Sequence, residues 1–397
     1  MDDAFPEPRL GDRSLFPDLA AAAYLNHAGV SPPSVRVKRA VAGILDRYAA
    51  SGAGAVMASL ALRGRLREKL ARLLGVDPLD VALTSGATHG IQAIALSFPW
   101  RAGDRVILLS GEFPGNVTPW QRAAELFGLE VVFVPVAAFE RSAEEGLAAL
   151  AAELGRGARL VALSAVQFRS GLAMPLADLA ALGHRHGAEL FVDAIQALGV
   201  VPLDARAADV DYLASGAHKW LMAAEGAGFL YVKRARLAAL RPALAGWLSH
   251  DDPVSFLTQG AGHLRYDRPL RGEASMFEAG SSSALSQAAL EASLDVLLGL
   301  GIPAIQAHVS RYLDVIEPPL VARGFTSLRA ADPARRSGIL SLVPPVGVDV
   351  VRLREALVAL GVVTAIPDGA VRIAPHWPNA VAEVERVVAA FDRALRA

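Results

Sequence analysis

Short apolar runs separated by longer amphipathic stretches organise the middle of the chain. The runs fall at residues 81–84, 105–109, 131–136, 160–163, 190–192, 212–214 and 228–232. Helical spacing of apolar positions lies between several of them, as at 119–127 and 176–186. This alternation predicts an α/β fold: a mostly parallel seven-stranded sheet with helices on both faces, since strands covered on both sides are apolar at nearly every position. Residues 35–50 and 60–74 also carry helical spacing, and Gly75 is placed to stop the second helix. Residues 1–30 read as an irregular arm.

Beyond about residue 235 the pattern changes. Residues 240–282 are rich in Gly, Pro, Arg and Ser and read as a loop-bearing region. Helices are predicted at 286–300 and 302–316, the second interrupted by Pro318 and Pro319. Residues 339–343, 350–360, 370–373 and 380–396 predict a small α+β unit closing on a helix. The expected division is an arm (1–30) joining the small domain, a large domain (31–265) and a small C-terminal domain (266–397).

Composition narrows the function. With 397 residues, 53% of them hydrophobic, the chain can bury a large core in two or more units. Its 39 basic and 40 acidic side chains are well mixed, so no basic stripe marks a nucleic-acid partner. No apolar run approaches the roughly 18 residues that cross a bilayer, and no membrane partner is expected. The acidic start lacks the basic-then-apolar build of a secretory signal, so a cytoplasmic location is expected. The chain has no cysteine, which removes disulfides, thiolate metal sites and thiol nucleophiles.

The candidate chemistry gathers at strand ends. Lys219 follows the run 212–214 in the turn Ser-Gly-Ala-His-Lys-Trp (215–220), where desolvation can keep an amine partly deprotonated for Schiff-base formation. Asp193 ends the run Leu-Phe-Val-Asp, on the edge where open α/β sheets bind ligands. An acid there can hold a pyridinium nitrogen protonated, and it can equally serve as a helix N-cap. Residues 84–90, Thr-Ser-Gly-Ala-Thr-His-Gly, place small side chains before a helical pattern, where the backbone N–H groups of Ala87 and Thr88 can meet a phosphate. Gly226 and Gly228 lack the third glycine of a dinucleotide fingerprint and precede a strand-like run. His184, His186 and Glu189 have ligand chemistry, but a solvated helix end is the preferred reading and no metal site is expected.

Taken together, these motifs resemble those of class V aminotransferases, fold-type I enzymes dependent on pyridoxal 5'-phosphate (PLP). That group includes cysteine desulfurases, selenocysteine lyases, kynureninases and isopenicillin N epimerase-like proteins. The likeness runs from Tyr24-Leu-Asn-His-Ala28 to Val371-Arg-Ile-Ala-Pro375. It implies that Lys219 forms the internal aldimine and that Asp193 pairs with the pyridinium. It implies that Gln196 meets the cofactor's phenolic oxygen, and that Ser215, His218, Ala87 and Thr88 hold its phosphate. Phe113 takes the place of the aromatic side chain stacked on the cofactor, and Gln167 lies near the ring. Ser281 stands where relatives reach a neighbouring subunit's phosphate, so a homodimer with its active site at the interface is implied. Arg372 matches the arginine that grips a substrate carboxylate, with Asn26 and His27 as further substrate contacts.

The expected activity is transamination of an amino acid or related primary amine, through a Lys219 aldimine and a quinonoid. A β- or γ-eliminating C–S or C–Se lyase, or an epimerase, shares every step up to the quinonoid. A persulfide-forming desulfurase is excluded because no cysteine is present to accept sulfur. A non-catalytic PLP sensor lacks any recognisable DNA-binding module here. Phe113 can stack but cannot titrate. Arg241, Trp247, His250, Arg265, Arg268 and Arg271 are candidates for shaping the substrate pocket.

Overall fold

A computed structural model describes residues 5–396. The arm contributes a short strand, β1 (Ala23–Tyr24). The large sheet is built from β2 (Val81–Thr84), β3 (Arg105–Ser110), β4 (Glu130–Pro135), β5 (Leu160–Ser164), β6 (Glu189–Asp193), β7 (Tyr212–Gly216) and β8 (Gly228–Val232). Their order is β2-β8-β7-β6-β5-β3-β4, so all seven apolar runs become neighbours in one sheet. β8 is antiparallel to both β2 and β7, and the other pairings are parallel. Strands β2, β5, β7 and β8 are buried along their whole length, which accounts for their unbroken apolar character.

Helices α1 (Val35–Ser51), α2 (Val56–Leu74) and α3 (Ala87–Ser97) follow the sequence expectation closely. Ser34 caps α1 by accepting from the Val37 amide, and Gly75 closes α2 in the left-handed region at φ 69. The helix Ala284–Leu300, within the range expected for the small domain, packs along α1 and α2 instead. Ion pairs Lys69–Asp295 (2.6 Å) and Arg65–Glu291 (2.8 Å) lie along that contact.

The small unit pairs β9 (Thr326–Ser327), β10 (Leu340–Val343) and β12 (Val371–Ile373) antiparallel, in the order β12-β10-β9. The arm is less irregular than expected. β1 runs parallel to β11 (Val362–Val363), and Asn26 bridges Ala374. The helix expected to break at Pro318 instead continues from Ile302 to Val321. Both prolines sit in its last turn, so they remove two donors without unseating the fully buried Ile316 and Leu320. Arg323 Nη1 then donates to the Pro319 carbonyl at 2.7 Å and completes the end.

Candidate active site

The carboxyl ends of the parallel strands gather the chemistry. Ser164 at the end of β5, Asp193 at the end of β6 and Ala214 in β7 lie side by side in register. Lys219 lies three residues beyond β7, in a turn tied by Ala217 N to the Ala227 carbonyl (3.0 Å) and by Met222 N to the Lys219 carbonyl (2.9 Å). Its amine is mostly buried. Burial, aided by the Arg372 charge and opposed by Asp193, pushes it down to about 8. Asp193 is buried and pushed up by that burial, while the Ile195 amide (3.0 Å) and Lys219 pull the other way. The carboxylate and the amine are thus close enough for each to feel the other's charge.

An anion cradle adjoins them. Helix α3 starts at Ala87 after Gly86 with no side-chain cap, so the amides of its first turn have no acceptor within the helix. A Cβ at Gly216 would lie 3.5 Å from both Ala87 N and His218 Cε1, which shows that the Lys219 turn faces that helix end. Ser215 is fully buried beside them. His218 is held below its usual range by burial and by the neighbouring lysine, with Glu225 opposing them. The loop after β3 joins the same place: a Cβ at Gly115 would lie 3.4 Å from Thr88 Oγ1.

Phe113 in that loop is 48% exposed, with its ring centroid 5.3 Å from Lys219 Nζ and 5.5 Å from the Phe168 ring. Arg372 projects from the middle of β12 and is almost fully buried. Nη1 donates to the Phe168 carbonyl at 3.0 Å, while Nε has no partner. Burial pushes the guanidinium down to about 10, so it remains charged at neutral pH with donor capacity to spare. Asn26 Oδ1 is likewise buried without a partner.

Other expected contacts are occupied or placed elsewhere. Gln167 gives Nε2 to Glu112 at 2.9 Å. Gln196 gives Nε2 to the Ala28 carbonyl (3.0 Å) and accepts from Trp220 Nε1 (2.9 Å), leaving one amide hydrogen. His27 is buried, with Nδ1 2.7 Å from Ser31 Oγ, and its ring packs on Tyr24 and His376 away from solvent. Ser281 lies exposed in an outer groove with Tyr48, Met57, Trp247 and Leu257.

Two buried carboxylates near the large sheet, Glu112 and Glu278, are among those that the sequence analysis did not single out. Glu112, next to Phe113, accepts from Ser164 N (2.8 Å), the Ser164 hydroxyl and Gln167. Burial pushes its pKa up, and the Asp193 charge adds to that. Its position just past the end of β3, at the ligand-binding edge, was a usable signal. Glu278 accepts from Arg63, Arg67 and the Leu83 amide, and no local pattern marks it.

These residues fit PLP on observations of this chain. A partly deprotonated lysine stands by a buried acid, helix-terminal amides lie beside His218, and a buried arginine keeps an unused N–H. The family model described as Aminotransferase class-V matches residues 23–360. The isopenicillin N epimerase of Streptomyces clavuligerus is 29% identical over 338 residues, 84% of each chain. A cysteine desulfurase of Dickeya dadantii is 33% identical over 270 residues, 66% of this chain and 61% of its own. Among solved structures, the cystine C-S lyase C-DES, in complex with cysteine persulfide, superposes with a TM-score of 0.86 at 26% identity, covering 95% of this chain and 98% of that one. The same lyase has been seen as a lysine-to-alanine mutant with glycine covalently linked to its PLP cofactor (TM-score 0.83, 26% identity, 96% of this chain and 98% of that one). The chain belongs to the class V aminotransferase family, with the fold-type I architecture and PLP as its cofactor.

Proposed function

We propose that the protein is an amino-acid aminotransferase that works with a single proton-carrying group at the reacting carbon. Bound at Lys219, PLP supplies the electron sink that makes the substrate's Cα–H acidic. Arg372 orients the substrate by its α-carboxylate, using the N–H that no protein group takes. Lys219 Nζ takes the Cα proton, and a pKa of about 8 leaves part of it free amine near neutral pH. Asp193, at the end of β6, is the acid that would pair with the cofactor's ring nitrogen. Phe113 carries the choice among rival outcomes: its ring, 5.3 Å from Lys219 Nζ, has no proton to give. Epimerisation by two bases, or expulsion of a poor leaving group with acid help, needs a second donor on that side. Moving a proton from the substrate carbon to the cofactor needs only the lysine.

The test is a single turnover with amino acids and no keto acid. One equivalent of keto acid and a cofactor left in its amine form support transamination. Continuous release of ammonia, pyruvate or sulfide supports the second reading, a C–S lyase, which the TM-score of 0.86 to a cystine C-S lyase favours. Inversion at Cα without keto acid points to epimerisation. The absence of cysteine argues against persulfide formation on this chain.

The working unit proposed is a homodimer joined across the groove that holds Ser281. Met57, Trp247 and Leu257 stand 67%, 44% and 64% exposed around it, apolar side chains that a partner subunit would cover. Sedimentation at monomer mass would reject this.

A further inference from the structure

We infer that His376 is a positioning residue for Lys219, tying the peptide after the lysine to the strand segment that carries Arg372. The inference rests on the roles given above to Lys219 and Arg372. His376 is fully buried, and its Nε2 lies 2.8 Å from the Trp220 carbonyl. The Trp377 amide donates to Nδ1 at 2.7 Å, so Nδ1 is the acceptor and the ring proton sits on Nε2. The Trp220 carbonyl therefore receives a directed hydrogen bond from one side. On the other it is walled by Gly199, at φ 108, where a Cβ would come within 2.3 Å of that oxygen.

The Trp220 side chain is fixed as well, through Nε1 to Gln196 and from Gln196 to the Ala28 carbonyl. His376 is held in turn by its amide to Asn379 Oδ1 (2.8 Å), and Asn379 Nδ2 reaches the Tyr24 carbonyl (3.1 Å). Ala374, between Arg372 and His376, exchanges backbone hydrogen bonds with Leu25 and His27 of the arm. One continuous segment thus carries the carboxylate-gripping guanidinium at one end and holds the carbonyl of Trp220, the residue after the lysine, at the other. A substrate that draws on Arg372 pulls on the segment that aims Nζ, and a misplaced segment loosens both.

The test uses full-length, cofactor-loaded protein and two small nucleophiles that displace Lys219: aminooxyacetate, which carries a carboxylate, and methoxyamine, which does not. The ratio of their rate constants, followed by visible absorbance, measures the advantage of carboxylate capture. His376→Phe lowers the ratio roughly fivefold or more, the scale of one lost buried hydrogen bond. His376→Gln keeps an N–H for the same carbonyl and restores most of it. A second readout needs no cofactor. The pH midpoint of Lys219 acetylation in the cofactor-free chain, about 8 in the parent, rises in His376→Phe as the amine leaves its buried place. Arg372→Ala separates the two levels: if it leaves the ratio unchanged, the role of Arg372 and the coupling both fail, and the acetylation midpoint alone judges His376. A folded His376→Phe chain with the parent ratio and the parent midpoint overturns the inference. Should phenylalanine prevent folding, His376→Asn, too short to reach Trp220, is compared with His376→Gln in the same way.

Discussion

Asp193 and Glu278 are both buried carboxylates of the large sheet region, yet their surroundings differ sharply. Glu278 accepts Nε and Nη2 of Arg67 (3.1 and 2.6 Å on Oε1, 2.7 Å on Oε2), Arg63 from another side and the Leu83 amide at 2.9 Å. Among the described residues only Ile195 N donates to the Asp193 carboxylate, with Lys219 as its nearby counter-charge. A saturated carboxylate is structural, because every lone pair is already used in the folded chain. An under-saturated one keeps acceptor capacity for a group that arrives later, and its raised pKa records that the protein alone does not fully stabilise its charge.

The comparison can be broken by substitution, starting with the partner of the under-saturated acid. Lys219→Ala should abolish the borohydride-trapped cofactor adduct altogether, as read by peptide mass mapping. Glu278→Ala should cost about 2–3 kcal/mol in urea denaturation, because two half-buried arginines and the Leu83 amide lose their charged acceptor. It should leave the pH dependence of turnover in the surviving folded fraction unchanged. Asp193→Ala should do the reverse, cutting turnover by about a hundredfold while shifting the urea midpoint little; a stability loss as large as that of Glu278→Ala would erase the distinction. Arg372→Lys should raise KM for an amino acid about tenfold with less change in kcat, since a point charge replaces a two-pronged donor.

Acid should have the smallest effect. Burial pushes His376 down to about 4 from 6.5, and lowers His27 as well. The unfolded chain therefore takes up protons first, so stability is complete above about 6.5 and is lost as pH falls through about 4. Asp193 and Glu112, pushed up by burial, act in the opposite sense. The difference in urea midpoint between parent and His376→Gln, measured at pH 7 and pH 5, isolates the histidine. No difference at either pH would mean that His376 does not feel its burial.

Much of this was legible in the chain because it is local. Each strand of the large sheet announces itself by a short apolar run, and the sheet order brings the ends of those runs to one edge. Lys219, Asp193 and the Ala87–Thr88 turn were readable because strand, turn and functional residue are contiguous. Glu278 was not, since the residues that explain it lie some two hundred positions away on α2. The antiparallel placement of β8 was also hidden, because an apolar run does not reveal its direction. The helix through Pro318 was misread because proline marks a lost donor, whereas Leu320 beyond it has a buried place to fill. Gln196 and His27 show the converse limit: residue type and order suggest a ligand contact, but only packing shows what already holds the side chain.

The lacing of the arm has a consequence for how the molecule is made. Ala23 and Tyr24 are synthesised more than three hundred residues before their partners Val362 and Val363, and Asn26 likewise precedes the Ala374 that it meets. The large sheet can assemble on the nascent chain, whereas the segment that aims the lysine and carries Arg372 can be stitched down only once residues 362–374 have emerged. A message truncated anywhere before that point would give a sheet-bearing fragment without the grip for its substrate, and so a target for proteolysis instead of a weak enzyme.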